Sequence, residues 1–163
     1  MNDGTIQSPR SPIDPCVIDA ESVPWIPLPA CGDEVMVKYY KLDPVGGEMV
    51  LQLRAPSGAI VPELQHSGSL LTYTIEGRWK LAGARWIAGP GSVVCAPAGS
   101  RHSPACVVGE ECVITMHIVA GTVVMYDRNG SVLAVENCQT ALARYAAYCE
   151  RSGILPRDLA TPC

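Results

Sequence analysis

A chain of 163 residues suits one domain with enough length to bury a real core. Its hydrophobic content of 48% excludes a mainly disordered protein, and the net charge of -4 leaves no electrostatic footprint for nucleic acid. No apolar run reaches the roughly 20 residues of a membrane span, so no membrane partner is expected.

The first 20 residues contain Asp, Pro, Ser and Arg but no apolar stretch of the kind a signal peptide needs. They are expected to form a flexible arm on a cytoplasmic protein. The eight cysteines include no pair at CxxC spacing, which argues against a zinc knuckle. A disulfide framework belongs with secretion, so the thiols are expected to be mostly reduced and packed as small hydrophobes.

Along the chain, Pro24, Pro27 and Pro29 keep residues 23–29 extended and bar both a helix and a central strand. Trp25 is expected to anchor this segment to the domain. From Glu34 the pattern is β: Val35, Val37 and Tyr39 alternate with Met36, Lys38 and Tyr40. Residues 43–47 turn the chain and residues 49–54 form a second strand. Strands at 70–75 and 78–81 flank Glu76 and Gly77, which predicts a hairpin. Further strands are predicted over 92–95, 112–119, 123–126 and 131–135, with a hairpin turn at 127–130. Leu142, Tyr145, Ala146 and Cys149 share one face of a closing helix, which Gly153 and Pro156 stop. Many short, evenly spaced strands predict a sandwich or barrel rather than βαβ units.

Two stretches carry chemistry. Gly91, Pro97, Gly99 and His102 complete the pattern Gly-x5-Pro-x-Gly-x2-His, whose glycines allow tight turns and whose proline stiffens the approach to the histidine. Gly58, Leu64, His66 and Gly77 frame the pattern Gly-x5-His-x-His-x3-4-Glu, with Leu64 in place of one histidine and Leu71 in place of the glutamate. Strand alternation puts residues 64 and 66 on one face.

These paired patterns resemble those of the cupin superfamily. Residues 25–153 look like the group containing acetylacetone-cleaving dioxygenase and 2,4'-dihydroxyacetophenone dioxygenase. The phrases at 23–28, 53–59, 75–79, 89–92, 96–102 and 125–130 carry this likeness. It implies an all-β double-stranded β-helix, or jelly-roll barrel, with a C-terminal α-helix. The expected layout is an arm at 1–20, a single cupin domain at 21–153 and a tail at 154–163. The group's members bind ferrous iron through histidines and insert both atoms of O2 while cleaving a C–C bond beside a carbonyl. Carried over, His66 and His102 match ligand positions, while Leu64 replaces the third and Ala96 stands where a Glu often precedes the Pro.

The other histidine, His117, shares a strand face with Thr115 and Val119. If that face is interior, His66, His102 and His117 converge into a rearranged site for Fe(II) or another divalent transition metal. The alternative is no metal, with His66 and His102 as acid–base residues. Leu64, Leu71, Tyr73, Thr115 and Val119 are expected to line an apolar pocket for a small-molecule substrate, such as a ketone or aromatic carbonyl. Glu63 should face away, Arg101 should be solvated, and Cys106 is read as a packed thiol. Two kinds of enzyme stay open here, a dioxygenase and a metal-independent isomerase, cyclase or lyase, beside a non-catalytic binder. Low charge content and the proline-rich arm suggest a homodimer with edges covered by the partner.

Overall fold

The computed structural model describes residues 15–32 and 34–161. Residues 1–14 of the expected arm, and Cys163 with its neighbour at the end of the expected tail, lie outside the described residues.

The strands fall into three sheets round one interior. The largest contains β1 (Ile26–Pro27), β2 (Met36–Asp43), β3 (Glu48–Ala55), β6 (Leu70–Glu76), β8 (Val93–Ala96) and β11 (Val113–Ala120). Its spatial order is β1-β2-β3-β11-β6-β8. A three-stranded sheet joins β4 (Ile60–Val61), β10 (Ala105–Val107) and β7 (Trp79–Leu81). A four-stranded sheet runs β13 (Val132–Glu136), β12 (Val123–Tyr126), β5 (Glu63–His66) and β9 (Arg101–His102). Helix α1 (Cys138–Ser152) follows, so the architecture is the expected all-β jelly-roll barrel with one C-terminal helix. No helix among the described residues is long and apolar enough to cross a membrane.

Local chemistry explains most elements. The Asp43 carboxylate accepts from Val45 and Gly46 N–H, closing the β2–β3 hairpin. Asp127 does the same for Asn129 and Ser131 between β12 and β13. Pro27 is tolerated because β1 is an edge strand. Trp25 lies against Lys38 and Arg54, whose cationic heads stand 4.8 and 4.6 Å from its ring centroid.

Three sequence expectations are corrected. Glu76 and Gly77 do not turn a hairpin, because β6 pairs with β11 and β8 while β7 pairs with β10 in another sheet. Gly77 instead lets the chain pass tightly over β11: its φ is 73° and an added Cβ would sit 2.4 Å from the Cys112 carbonyl oxygen. The buried stripe of α1 is Cys138, Ala141, Tyr145 and Cys149, while Ala146 is exposed. Most thiols are free as expected, but the packing expected of them holds for Cys31, Cys138 and Cys149, while Cys95 and Cys112 are exposed and Cys16 is disulfide-bonded.

The core closes between the β1–β3 layer and α1. There Ile26, Val37, Leu42 and Met49 pack with the helix stripe. Leu159, beyond the helix, is also buried, and its carbonyl accepts from Leu42 N–H. The chain after Gly153 therefore still contributes to the core. A buried polar cluster pins α1: Arg144 donates to both Glu136 oxygens at 2.6 and 2.7 Å and to the Tyr39 hydroxyl at 2.7 Å. Burial and the Glu136 charge push the Tyr39 hydroxyl and the Cys31 thiol, the latter to about 12, above their usual ranges.

Candidate functional site

The turn after β8 places both motif histidines. Gly99 N–H donates to the His66 carbonyl and His66 N–H donates to the Ser100 carbonyl, so residues 99–100 clamp the end of β5. Gly99 adopts φ 81°, which an L side chain resists. β9 then pairs with β5, setting Leu64 opposite His102. His66, two residues along, shares that face. The two rings meet with centroids 4.7 Å apart and planes tilted by 52°.

Both rings face an apolar cavity of about 100 Å³ bounded by all three sheets. Its wall includes Leu64, Leu70, Val94, Trp79, Cys106 and Thr115. A second cavity of about 70 Å³ continues the interior toward Tyr39, Met125, Val119 and Glu136. Leu64, Leu70, His66 and His117 line both, so the imidazoles stand where the two spaces meet. His66 is 1% exposed, yet neither of its ring nitrogens has a hydrogen-bond partner, and His102 Nε2 is likewise buried and unpartnered. Desolvation lowers the pKa of both rings, and for His66 the neighbouring His102 adds to the effect. At neutral pH each is a neutral imidazole with open hydrogen-bonding capacity.

His117 does turn inward, on the same face of β11 as Thr115 and Val119. Its role differs from that of a ligand. Nδ1 lies 3.1 Å from the Thr72 hydroxyl and Nε2 lies 2.7 Å from the Thr115 hydroxyl. One hydroxyl must donate and the other accept, because a neutral ring carries one N–H. Burial and the nearby His66 push the His117 pKa down to about 4, so the ring is neutral at physiological pH.

Leu71 and Tyr73 do not line the pocket. They are 37% and 43% exposed on the outer face of β6, whose inner face is Leu70, Thr72 and Thr74. The strand is inverted relative to its hydrophobic pattern. Its inner threonines are satisfied by bonds that a sequence does not display: Thr72 to His117, and Thr74 from the Trp79 indole N–H at 2.9 Å. Leu70 therefore takes the interior position that was read onto Leu71. Leu64, Thr115 and Val119 do face the interior. Thr72, Trp79 and Val94 were missed, and only the parity of β6 and β8 could have found the first and last. Cys106 borders the cavity, while Glu63 pairs with Arg101 outside it, where the guanidinium also stacks 4.2 Å from the Tyr126 ring centroid.

The iron implied by the dioxygenase resemblance needs about three protein donors, commonly two histidines and a carboxylate. His66 and His102 offer nitrogens, but both His117 nitrogens are engaged by threonines and the facing side chains Leu64 and Leu70 have no donor atom. Among the described residues no group of three or more His, Cys, Asp or Glu is placed to hold a metal ion. As placed, the donor set offers two unpartnered imidazoles, fewer than the three ligands that Fe(II) or another divalent transition metal needs, and His117 stands beside them with threonine hydroxyls at both nitrogens.

A jelly-roll barrel with histidines projecting into an apolar interior is a cupin. Residues 14–120 match the ChrR cupin-like domain, and the chain belongs to that family. It is similar to an RmlC-like cupin protein from Ralstonia eutropha JMP134, with 39% identity, 93% of this chain and 97% of that chain covered, and a TM-score of 0.86. An acetylacetone dioxygenase from Acinetobacter johnsonii shares the fold at 16% identity, covering 86% of this chain and 96% of that one with a TM-score of 0.70. The polyketide cyclase RemF from Streptomyces resistomycificus shares it at 16% identity, covering 76% and 85% with a TM-score of 0.55. No curated protein sequence matches the chain.

Proposed function

We propose that this cupin is a metal-independent enzyme that moves a proton on a small, largely apolar carbonyl compound, using His66 and His102. The observation that carries the reading is the imidazole pair whose buried nitrogens, both of His66 and Nε2 of His102, have no partner and face an apolar cavity. A buried donor or acceptor without a partner costs about 1–3 kcal/mol, so a ligand that supplies the partner is favoured by that amount. A carbonyl oxygen accepts from one ring N–H. The lone pair of the other ring, unprotonated at neutral pH, removes a proton from the adjacent carbon. The N–H donor then faces the oxygen on which negative charge collects. Return of the proton to another carbon isomerises the compound, and attack by the enolate on a second carbonyl closes a ring. The two connecting cavities accept apolar groups on either side of the carbonyl.

The dioxygenase reading keeps the likeness of residues 25–153 but lacks the donor set described above. The fold-level neighbours, one a dioxygenase and one a cyclase, do not choose between the readings. One experiment does. A panel of small ketones is incubated with the protein in deuterated buffer, and loss of the α-proton signal is followed by NMR. Exchange above the buffer rate, unaffected by a chelator and lost in His66→Ala and His102→Ala, is expected. Oxygen uptake that depends on added ferrous ion, with no exchange, would replace this reading by the oxygenase.

A further inference from the structure

We propose that the site selects an uncharged, open-chain ketone with two short hydrocarbon arms of unequal length, and that Leu64 and Leu70 set this choice. The proposal rests on the proton-transfer reading above and names its substrate class. Size is the first argument. A cavity of roughly 150 Å³ takes one benzene ring, or about 25 Å³ for each carbon. By that measure the first cavity, about 100 Å³, takes about four carbons and the second, about 70 Å³, about three. Neither holds a phenyl group. The second cavity ends on Cys31, Tyr39, Met49 and Val119, all buried, and a packed core of this kind yields little to an oversized group. The first reaches exposed Ser103 and opens there, so the fixed limit falls on the inner arm. Leu64 and Leu70 line both cavities beside His66 and form the waist where the carbonyl sits.

Charge is the second argument. Among the described residues no Lys, Arg, Asp or Glu lines the first cavity. Glu136 is the one charged group along the second, and Arg144 already binds both its oxygens. A carboxylate or phosphate would enter without a counter-charge, beside imidazoles that desolvation keeps neutral. The lining hydroxyls other than that of Ser103 are engaged too, Thr72 and Thr115 with His117 and Tyr39 with Glu136. With hydrocarbon arms, an enolate formed here has no second carbonyl to attack, so isomerisation rather than ring closure is the outcome. Both imidazoles border the first cavity and only His66 the second, so the reacting carbons belong to the longer arm. On an arm with a β,γ double bond, the α C–H bond breaks, the double bond moves into conjugation and a C–H bond forms at the γ carbon. Nothing is oxidised or reduced.

Crotyl ketones test this, because only the group on the other side of the carbonyl changes: propyl, carboxyethyl or phenyl. Ultraviolet absorbance follows the conjugated product, and NMR in deuterated buffer locates the label. The propyl ketone is expected to isomerise, with deuterium entering the crotyl arm and not the propyl arm. The carboxyethyl and phenyl ketones are expected to fall about 100-fold below it in kcat/KM. Leu70→Ala opens the waist and is expected to raise the phenyl-to-propyl ratio of kcat/KM about 10-fold. Leu64→Ala is the second variant should the first fail to fold, and near-ultraviolet circular dichroism checks each. Phenyl or carboxyethyl ketones turned over as well as the propyl ketone overturn the substrate class and leave the proton-transfer reading standing. A ratio unchanged in the folded variants overturns the role of the two leucines. The saturated butyl ketones of the same series are titrated against the His66 and His102 imidazole resonances. Shifts with the propyl member alone, without turnover of any crotyl ketone, uphold the selection and overturn the catalytic reading. No shift and no turnover overturn both.

Discussion

Replacing His117 by Gln isolates the energetic consequence of keeping an imidazole neutral inside the barrel. The His117 pKa falls from 6.5 to about 4 on folding. The unfolded chain therefore binds more protons than the folded one between those values, and stability falls as pH drops through that window. At one pH unit per 1.36 kcal/mol, the loss relative to neutral pH is about 2 kcal/mol by pH 5 and about 3 by pH 4. His66 and His102, also shifted down, add to the slope in the same direction. Asp43 and Asp158 have lowered pKa values, so their contribution is lost only in more acid solution, and pH 7 to 5 is the clean window. Glutamine keeps one acceptor and one donor for the Thr72 and Thr115 hydroxyls but does not titrate. Urea unfolding followed by tryptophan fluorescence at each pH is expected to show a shallower slope for His117→Gln, by about 2 kcal/mol over this window. Equal slopes for the two proteins would refute the assignment of His117 as a partly buried neutral bridge.

His66→Ala and His102→Ala are expected to leave the unfolding free energy within about 1 kcal/mol of wild type while abolishing exchange at the carbon beside the carbonyl, because each removes unpartnered nitrogens; calorimetry and NMR check the two halves. Elemental analysis of protein purified without chelator is expected to find no stoichiometric transition metal, and a stoichiometric one would overturn the metal-independent reading. Glu136→Ala leaves the Arg144 guanidinium and the Tyr39 hydroxyl without their acceptor in the interior and should cost about 3 kcal/mol in denaturant unfolding. Gly77→Ala forces a Cβ onto the Cys112 carbonyl at positive φ and should cost more than about 1 kcal/mol, seen as a lower Tm.

Local rules made much of this protein legible. Turn residues at 43–47 and 127–130, the edge character of the proline-rich segment and the capping glycine at 153 each act through their own few neighbours, so spacing alone located them. The Gly-Pro-Gly-His run was equally legible as a turn, although its clamp on His66 and the pairing that sets His102 opposite Leu64 come from contacts distant in the chain. β6 shows where that legibility stops. Alternation told that Leu71, Tyr73 and Ile75 share one face and Thr72 and Thr74 the other, but hydrophobicity named the wrong face as interior.

A threonine can face a core when its hydroxyl finds a partner there, and those partners, His117 from β11 and the Trp79 indole from β7, arrive from 45 and 5 residues away in the chain. The apolar face can point outward where another surface can cover it. Parity is a property of one strand, whereas inside and outside are properties of the sheets that close round it. Residue types and spacing thus determined the barrel, its turns and the two motif histidines. Tertiary structure alone decided that Leu70 rather than Leu71 walls the site, that threonine hydroxyls stand at both nitrogens of His117, and that His66 and His102 meet as a pair with unpartnered nitrogens.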